Sequence, residues 1–214
     1  MTFWELDTTN PTVIQGSYRY VPVRQYSSPP NAKQGGTSVL IDTWGTRISN
    51  AVYQPGSGLW TANGTGCTPP GDTVQRACVQ WYQINTTSFT VRQQGLVEYP
   101  GWYFYAGTIV VNNVGDAVLV FNGSSANSHV GIYFTGRYHT APLNTLQASA
   151  PLLKSGEGCY VRSAGNNTVS MHSDATVDPI YSGVFWIHSA YVYGSDSNCQ
   201  NNDWATGVGA VEFK

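Results

Sequence analysis

Three stretches of the chain share one pattern of hydrophobic and polar positions. Each has a short apolar run, a turn that contains glycine, and a second apolar run that holds an aromatic residue; they span residues 49–64, 108–123 and 175–190. Short apolar runs joined by Gly, Asn or Asp turns are typical of β-hairpins. The pattern therefore predicts three hairpins that recur about every sixty residues.

More alternating runs follow each predicted hairpin. A third run lies at residues 78–84, 129–137 and 204–213, and a fourth lies at 89–97 and at about 146–153. Four antiparallel strands in a unit of about sixty residues are typical of β-propeller blades. The sequence thus predicts an all-β fold with blade-like units over 38–98 and 105–155, and a three-stranded unit over 174–213. The alternative is a β-sandwich of the jelly-roll or lectin type, in which the repeats reflect only β composition.

The chain begins with an approximate copy of its own middle. "WELDTTNPTVIQG" at the start aligns with "WYQINTTSFTVRQQG" at 81–95, so that Asp7 meets Asn85 and Gln15 meets Gln93. Because 81–95 covers the third and fourth strands of a predicted unit, residues 3–20 are expected to form the same two strands of another. The chain is then one all-β repeat domain, 1–214, of about three blades, fewer than the four that the smallest propellers need. We expect either self-association, with residues 10–20 completing the last unit of a second copy, or a partner chain that supplies further blades.

Composition narrows the class of partner. Charged residues make up 10% of the chain and the net charge is −2, so the sequence lacks the basic footprint of a nucleic-acid-binding protein. No apolar run is long enough to cross a bilayer as a helix. No leader precedes the first predicted strand, which leads us to expect a mature form or an excised piece.

Four cysteines bear on the compartment. Cys67 and Cys78 flank a turn sequence, Pro-Pro-Gly-Asp, and the predicted phase of the strands brings Cys159 and Cys199 to the same face of one unit. Neither pair has the CxxC spacing of a zinc or redox site. We predict the disulfides Cys67–Cys78 and Cys159–Cys199, which favour an extracellular, secreted protein. Four buried free thiols are the alternative.

The repeats resemble those of a known group of proteins. "RISNAVYQPGSGLWTANG", "GTIVVNNVGDAVLVFNGSS", "IYFTGR" and "SDATVDPIYSGVFW" are similar to repeats of secreted bacterial β-propeller proteins, mostly uncharacterised and sialidase-like by fold. The resemblance covers nearly the whole chain and implies a propeller. The chain departs from the group in lacking the Ser-x-Asp-x-Gly-x-x-Trp box of sialidases and in keeping only Asp174 of an Arg-Trp-Gly-Asp segment. Full-length relatives also have about twice as many blades.

An aromatic cluster is the strongest candidate for a ligand site. In a propeller the connections between units and the loops between second and third strands share one face, where the candidate ligand-binding residues would lie: Trp44, Arg47, Tyr99, Trp102, Tyr103 and Tyr105. Aromatic rings with polar edges bind sugar rings or peptide side chains well. The alternative is that these rings fill the gaps between units; in either case period-two alternation buries two of the four tyrosine and tryptophan residues at 99–105.

Acid–base chemistry has weaker candidates. Glu98, Glu157, Asp174 and His172 are expected on the same face, and glycoside hydrolysis needs two carboxylates at a set separation. A sialidase would need three arginines to bind the carboxylate of its substrate, and Arg47, Arg76 and Arg162 are the candidates. The four histidines lack metal-ligand spacing, and no Walker loop, GxGxxG or nucleophile elbow is present, so we predict no metal and no cofactor. The expected function is an extracellular recognition or assembly module that binds glycan or protein; the alternative is a glycoside hydrolase.

Overall fold

The fold was analysed on a computed structural model that describes residues 1–6, 16–147, 149–162, 167–170 and 172–213. Within these residues the chain forms thirteen β-strands and no helix. An N-terminal hairpin contains β1 (Thr2–Leu6) and β2 (Gly16–Tyr20). The first sheet contains β3 (Ile48–Gln54), β4 (Gly58–Cys67), β5 (Arg76–Asn85) and β6 (Thr90–Val97). The central sheet contains β7 (Trp102–Val111), β8 (Ala117–Ser125), β9 (Ser128–Arg137) and β10 (Leu152–Lys154). The last sheet contains β11 (Asp174–Val177), β12 (Val184–Tyr193) and β13 (Asp203–Glu212).

All of the sheets are antiparallel meanders, with the strands of each sheet in chain order. The prediction of an all-β fold with four-stranded antiparallel sheets is confirmed, and the arrangement of those sheets as propeller blades stays a prediction. No helix that could cross a membrane occurs in the described part of the chain. The predicted repeat at Asp7–Gln15 lies outside the described residues.

Turn residues explain where the three hairpins reverse. Gly58 closes the β3–β4 turn at a φ of 96°, in the left-handed region that favours glycine. In the β7–β8 turn, Asn112 Oδ1 accepts the backbone N–H groups of residues 114, 115 and 116. Asp178 Oδ1 does the same for Ile180 and Tyr181 in the β11–β12 turn. The left-handed glycine thus fixes the first reversal, and the two side chains fix the other two as Asx turns do.

The central sheet is buried on both faces. Ile109 and Val111 face the first sheet, where they pack in one cluster with Trp60 and Trp81. The intervening Val110 faces the opposite way, toward Phe185 of the last sheet. This is the period-two alternation of a strand that lies between two other layers. The three sheets therefore stack face to face, with the central sheet in the middle.

Two features differ from the expectation based on alternation. The fourth strand of the central sheet is only three residues long, whereas the apolar run extended over about 146–153. The rest of the run keeps only separate backbone bonds to β9, from the Gln147 N–H to the Gly136 carbonyl and from the Phe134 N–H to the Pro151 carbonyl. Just before the run, Asn144 bonds to Gln93 and Gln94 of the first sheet. The second difference is at residues 38–47, which form loops and isolated bridges before β3 begins.

Both predicted disulfides are present. Cys67 is bonded to Cys78 and Cys159 to Cys199, and none of the four cysteines is free. The first joins the facing ends of β4 and β5, and the second ties the connection after β10 to the loop between β12 and β13. The two disulfides fit an extracellular protein.

Candidate functional site

An aromatic groove lies between the first and central sheets, with a volume of about 560 Å³. Its aromatic walls are formed by Tyr99, Trp102, Phe104 and Tyr133. The end of β6 and the segment before β10 supply the rest of the lining: Leu96, Val97, Glu98, Thr135, Leu146, Gln147, Ser149 and Ala150. We refer to these residues together as the aromatic groove.

A tight turn brings two of the predicted aromatic residues to the groove. The sequence Tyr99-Pro100-Gly101-Trp102 closes with a hydrogen bond from the Trp102 N–H to the Tyr99 carbonyl at 3.1 Å, and Gly101 has a φ of 81°. Proline followed by glycine at the centre is the preferred sequence of a type II turn. Tyr99 is left 61% exposed at the rim, and Trp102 is half-buried on the wall.

Strand alternation divides the predicted cluster. Trp102 and Phe104 project into the groove, whereas Tyr103 and Tyr105 project to the opposite side of β7 and are buried. The Tyr103 hydroxyl accepts a hydrogen bond from Arg76 Nη1 at 2.8 Å. Burial raises the pKa of Tyr105 above its usual range. These two tyrosines fill the interior, as alternation predicts for half of the cluster, and neither lines the groove.

The rings around Trp102 hold it in place. Trp102 stacks on Phe104 with centroids 6.0 Å apart, and Tyr133 meets it edge-on at 5.4 Å. Phe121 lies beneath, edge-on to Phe104 at 5.1 Å and fully buried. Such offset and edge-to-face contacts stabilise ring pairs beyond the burial of area. The wall of the groove is therefore a preorganised aromatic surface.

An ion pair anchors the turn at the mouth of the groove. Asp72 Oδ2 accepts hydrogen bonds from Arg76 Nε at 2.7 Å and from the Gly101 N–H at 2.9 Å. Both charged side chains are largely buried. The Arg76 guanidinium, followed by the Gly101 N–H, holds the pKa of Asp72 well below its usual range. Asp72 thus connects the β4–β5 turn to the Tyr99–Trp102 turn while it is ionised.

Glu98 is the one carboxylate among the described residues that line the groove. A carboxylate oxygen of Glu98 and the sulfurs of Cys67 and Cys78 lie within 4.8 Å of one another. These three groups could coordinate a metal ion only if the sulfurs were thiolates. The sulfurs form a disulfide, so the group is not a metal site. Glu98 is therefore placed as a hydrogen-bond acceptor at one end of an aromatic surface.

The other predicted acidic residues lie elsewhere. Glu157 pairs with Lys154 at 2.8 Å and accepts the Gly194 N–H, and Lys154 followed by that N–H lowers the pKa of Glu157. Asp174 lies on β11, with a carboxylate oxygen 4.0 Å from His188 Nε2. Neither residue lines the aromatic groove, so neither forms a carboxylate pair with Glu98 in that groove.

Trp44, Arg47 and His172 form a separate small recess. The Arg47 guanidinium lies over the Trp44 ring at 5.3 Å, and the His172 ring is 6.3 Å from the same tryptophan. The volume of the recess is about 20 Å³, too small for more than a water molecule. The remaining arginine candidates are also dispersed, since Arg76 pairs with Asp72 and Arg162 pairs with Asp203.

Local sequence pointed to Tyr99, Trp102 and Glu98 but missed the opposite wall of the groove. Tyr133 comes from β9 and Leu146 from the irregular segment that follows it. "IYFTGR" contains Tyr133 but gave no indication of its partner, because contact with Trp102 depends on the strand order within the sheet.

Comparison with known proteins gives no relative from which a function could be transferred to this chain. No protein-family model matches, and neither the curated proteins nor the solved structures contain a significant match.

Proposed function

We propose that the chain is an extracellular recognition module that binds a glycan in the aromatic groove. The observation that carries the proposal is the Trp102 ring, half-buried on the wall of a recess of about 560 Å³ with Tyr99 exposed at its rim. A sugar ring stacks its apolar face on such rings and directs its hydroxyl groups to neighbouring polar atoms. Glu98 and Gln147 supply those atoms.

Binding is favoured over hydrolysis by the number of carboxylates. Both common mechanisms of glycoside hydrolysis use a pair of carboxyl groups on either side of the scissile bond, about 5–10 Å apart. Glu98 has no second carboxylate among the described lining residues. A glycoside hydrolase remains the alternative, and it predicts sugar release that is lost in Glu98→Gln.

A glycan array tests the proposal directly. We expect the wild-type protein to bind a subset of oligosaccharides, and Tyr99→Ala and Trp102→Phe to weaken that binding about tenfold, the loss of part of a stacking contact. Tyr181→Ala is the matched control, because Tyr181 is 67% exposed in the β11–β12 turn, outside the groove. Absence of any binding, or equal loss in the control, would refute the proposal.

We also propose that the three sheets are consecutive propeller blades, with the first strand of each nearest the axis. Support comes from contacts between these first strands. Asn50 of β3 donates from Nδ2 to the Ile109 carbonyl of β7 at 2.9 Å, and Thr108 of β7 donates from Oγ1 to the Ser173 carbonyl, next to β11, at 2.7 Å. Equivalent contacts one unit apart are what a radial repeat produces.

The last sheet supports assembly with a second copy of this chain. It has three strands where the other two sheets have four, so β13 is a ten-residue edge with no strand beyond it in the described structure. The outer face of this last sheet carries Trp186, Trp204 and Val208, all more than 40% exposed. Long bare edges and apolar faces promote association. We propose that a strand of a second copy occupies this edge, which would give a C2 dimer.

Sedimentation velocity tests the assembly. We expect a dimer for the full chain and a monomer for Val208→Lys, which places a charge on the outer face of β13. Val114→Lys is the control, since Val114 is 54% exposed in the β7–β8 turn. Deletion of residues 1–20 identifies which segment donates the strand. If the dimer is lost, the donated strand belongs to the N-terminal segment. A stable, monodisperse full-length monomer would contradict the assembly.

A further inference from the structure

A second recess lies between the first and central sheets, and the segment 143–147 contributes lining residues both to it and to the aromatic groove. It has a volume of about 340 Å³. The β3–β4 and β7–β8 turns, the start of β6 and the end of β9 surround it, and the two cationic side chains in its lining are Arg92 and Arg137. We refer to this recess as the arginine pocket.

Arg137 is a buried cation whose partners are all neutral. Arg137 as a whole is only 3% exposed. Nε donates to the Thr145 carbonyl at 3.2 Å, and Nη2 donates to the Ala141 carbonyl at 2.9 Å and the Pro142 carbonyl at 3.5 Å. No described carboxylate lies within ion-pair distance. Nη1 makes no hydrogen bond to the described residues, which leaves part of the planar donor fork unused.

A second guanidinium faces the same space. Arg92 is exposed on β6, and it also has no ion pair among the described residues. Burial, and then the charge of Arg92, lowers the pKa of Arg137. Two cations that influence each other without an acid between them are an unfavourable arrangement that an anion would relieve.

The nearby acid is already occupied. Asp116 Oδ1 accepts the His139 backbone N–H at 2.7 Å and lies 2.8 Å from His139 Nδ1. Asn112 also donates to this carboxylate. Burial by itself would raise the pKa of Asp116, but the hydrogen bonds from His139 and Asn112 hold that pKa below its usual value. Asp116 therefore acts on Arg137 only through long-range electrostatic attraction, and its hydrogen bonds stabilise the β7–β8 turn.

The geometry points to an anion-binding site in the arginine pocket, with Arg137 Nη1 and the Arg92 guanidinium as donors to a carboxylate or phosphoryl group. Arginine forks match the two oxygens of either group. The volume of the pocket exceeds that of a bare ion, so it has room for the sugar or other organic portion of a ligand. The site is distinct from the aromatic groove and does not depend on glycan binding there.

Calorimetric titration with sodium phosphate and with sodium glucuronate, at constant ionic strength, tests the site. We expect saturable binding that Arg92→Gln weakens about tenfold or more, because it removes one charge-assisted contact. Lys33→Gln is the matched control: it removes the same charge from an exposed residue outside the pocket. Tighter binding of glucuronate assigns the site to a carboxylate sugar, and tighter binding of phosphate assigns it to a phosphoryl group.

A second variant tests the uncompensated charge without any added ligand. Arg92→Glu would place a carboxylate opposite Arg137, so we expect a higher melting temperature and complete loss of phosphate and glucuronate binding. Arg92 is exposed, so neither substitution threatens the fold. The inference is overturned if neither anion binds saturably, or if Arg92→Gln and Lys33→Gln bind both anions equally well.

Discussion

Two parts of the molecule present tryptophan side chains to solvent, and they differ in shape. In the aromatic groove, Trp102 lies on the wall of a recess and is held by Phe104 and Tyr133. On the outer face of the last sheet, Trp186 and Trp204 stand on a strand surface where exposed and half-buried residues alternate. A recess surrounds a small ligand on several sides, whereas a sheet face beside a bare edge suits another layer of protein. Exposure of an aromatic residue alone therefore does not identify its partner.

Removal of the floor of the groove should have the largest effect on stability. Phe121 is fully buried beneath Phe104, so Phe121→Ala is expected to lower the free energy of unfolding by about 3–5 kcal/mol. Trp186→Ala, on the open face, should change it by about 1 kcal/mol in the monomer, because the ring is 44% exposed and its main specific contact is the hydrogen bond to Asp178. Urea denaturation at low protein concentration measures both values. Equal losses would mean that the open face is packed as tightly as the groove.

The two disulfides should differ because their loops differ in length. Cys159–Cys199 joins residues 40 apart beside the last sheet, and Cys67–Cys78 joins residues 11 apart beside the groove. Loop-closure entropy predicts a loss of about 4 kcal/mol when both cysteines of the longer loop are replaced by alanine, and about 3 kcal/mol for the shorter loop. Denaturation of the two double variants tests the order. A larger loss for the 67–78 pair would contradict the entropic account.

Acid should weaken the mouth of the groove more than the open face. The pKa of Asp72 is well below the ordinary value near 3.8, so its stabilising effect is present above that value and is lost as the pH falls below about 4. Asp72→Asn should therefore be less stable at neutral pH and lose less stability on acidification.

Asp178 on the last sheet is the control for this titration. It accepts the Trp186 Nε1–H at 2.9 Å, and that bond, followed by the backbone N–H groups of the turn, lowers its pKa. It lacks a cationic partner among the described residues, so Asp178→Asn should change the acid dependence of stability less than Asp72→Asn. Identical acid profiles for the two variants would show that the Asp72–Arg76 pair does not contribute specifically.

Local patterns predicted most of the strands, the hairpin turns and the Cys67–Cys78 disulfide, because alternation and turn chemistry act over a few residues. The Cys159–Cys199 disulfide was predicted from the phase of the repeat. Local patterns also predicted Tyr99 and Trp102, which one Pro-Gly turn places together. The short β10 could not be predicted from its apolar run, because residues 147–151 make only separate backbone bonds to β9 while Asn144, just before them, bonds to the first sheet. This irregularity depends on contacts between sheets, which the local pattern does not contain.

The arginine pocket illustrates the same limit. Arg92 and Arg137 are 45 positions apart (137 − 92) and come from different sheets, and the repeat segments that contain them give no indication that they share a pocket. The predicted carboxylate candidates show the converse, because Glu157 and Asp174 looked equivalent to Glu98 in sequence but do not line the groove. Which of several polar residues share a recess depends on how the sheets stack.

Tryptophan indole resonances test the central claim most directly. The chain has seven tryptophans, so a ¹⁵N-labelled sample gives one indole N–H signal for each. Titration with the strongest oligosaccharide from the glycan array should shift the Trp102 signal and leave Trp186 and Trp204 unchanged, because Trp102 lines the aromatic groove and the other two lie on the last sheet. Shifts at Trp186 or Trp204 with Trp102 unmoved would contradict the account and assign recognition to the open face of the last sheet.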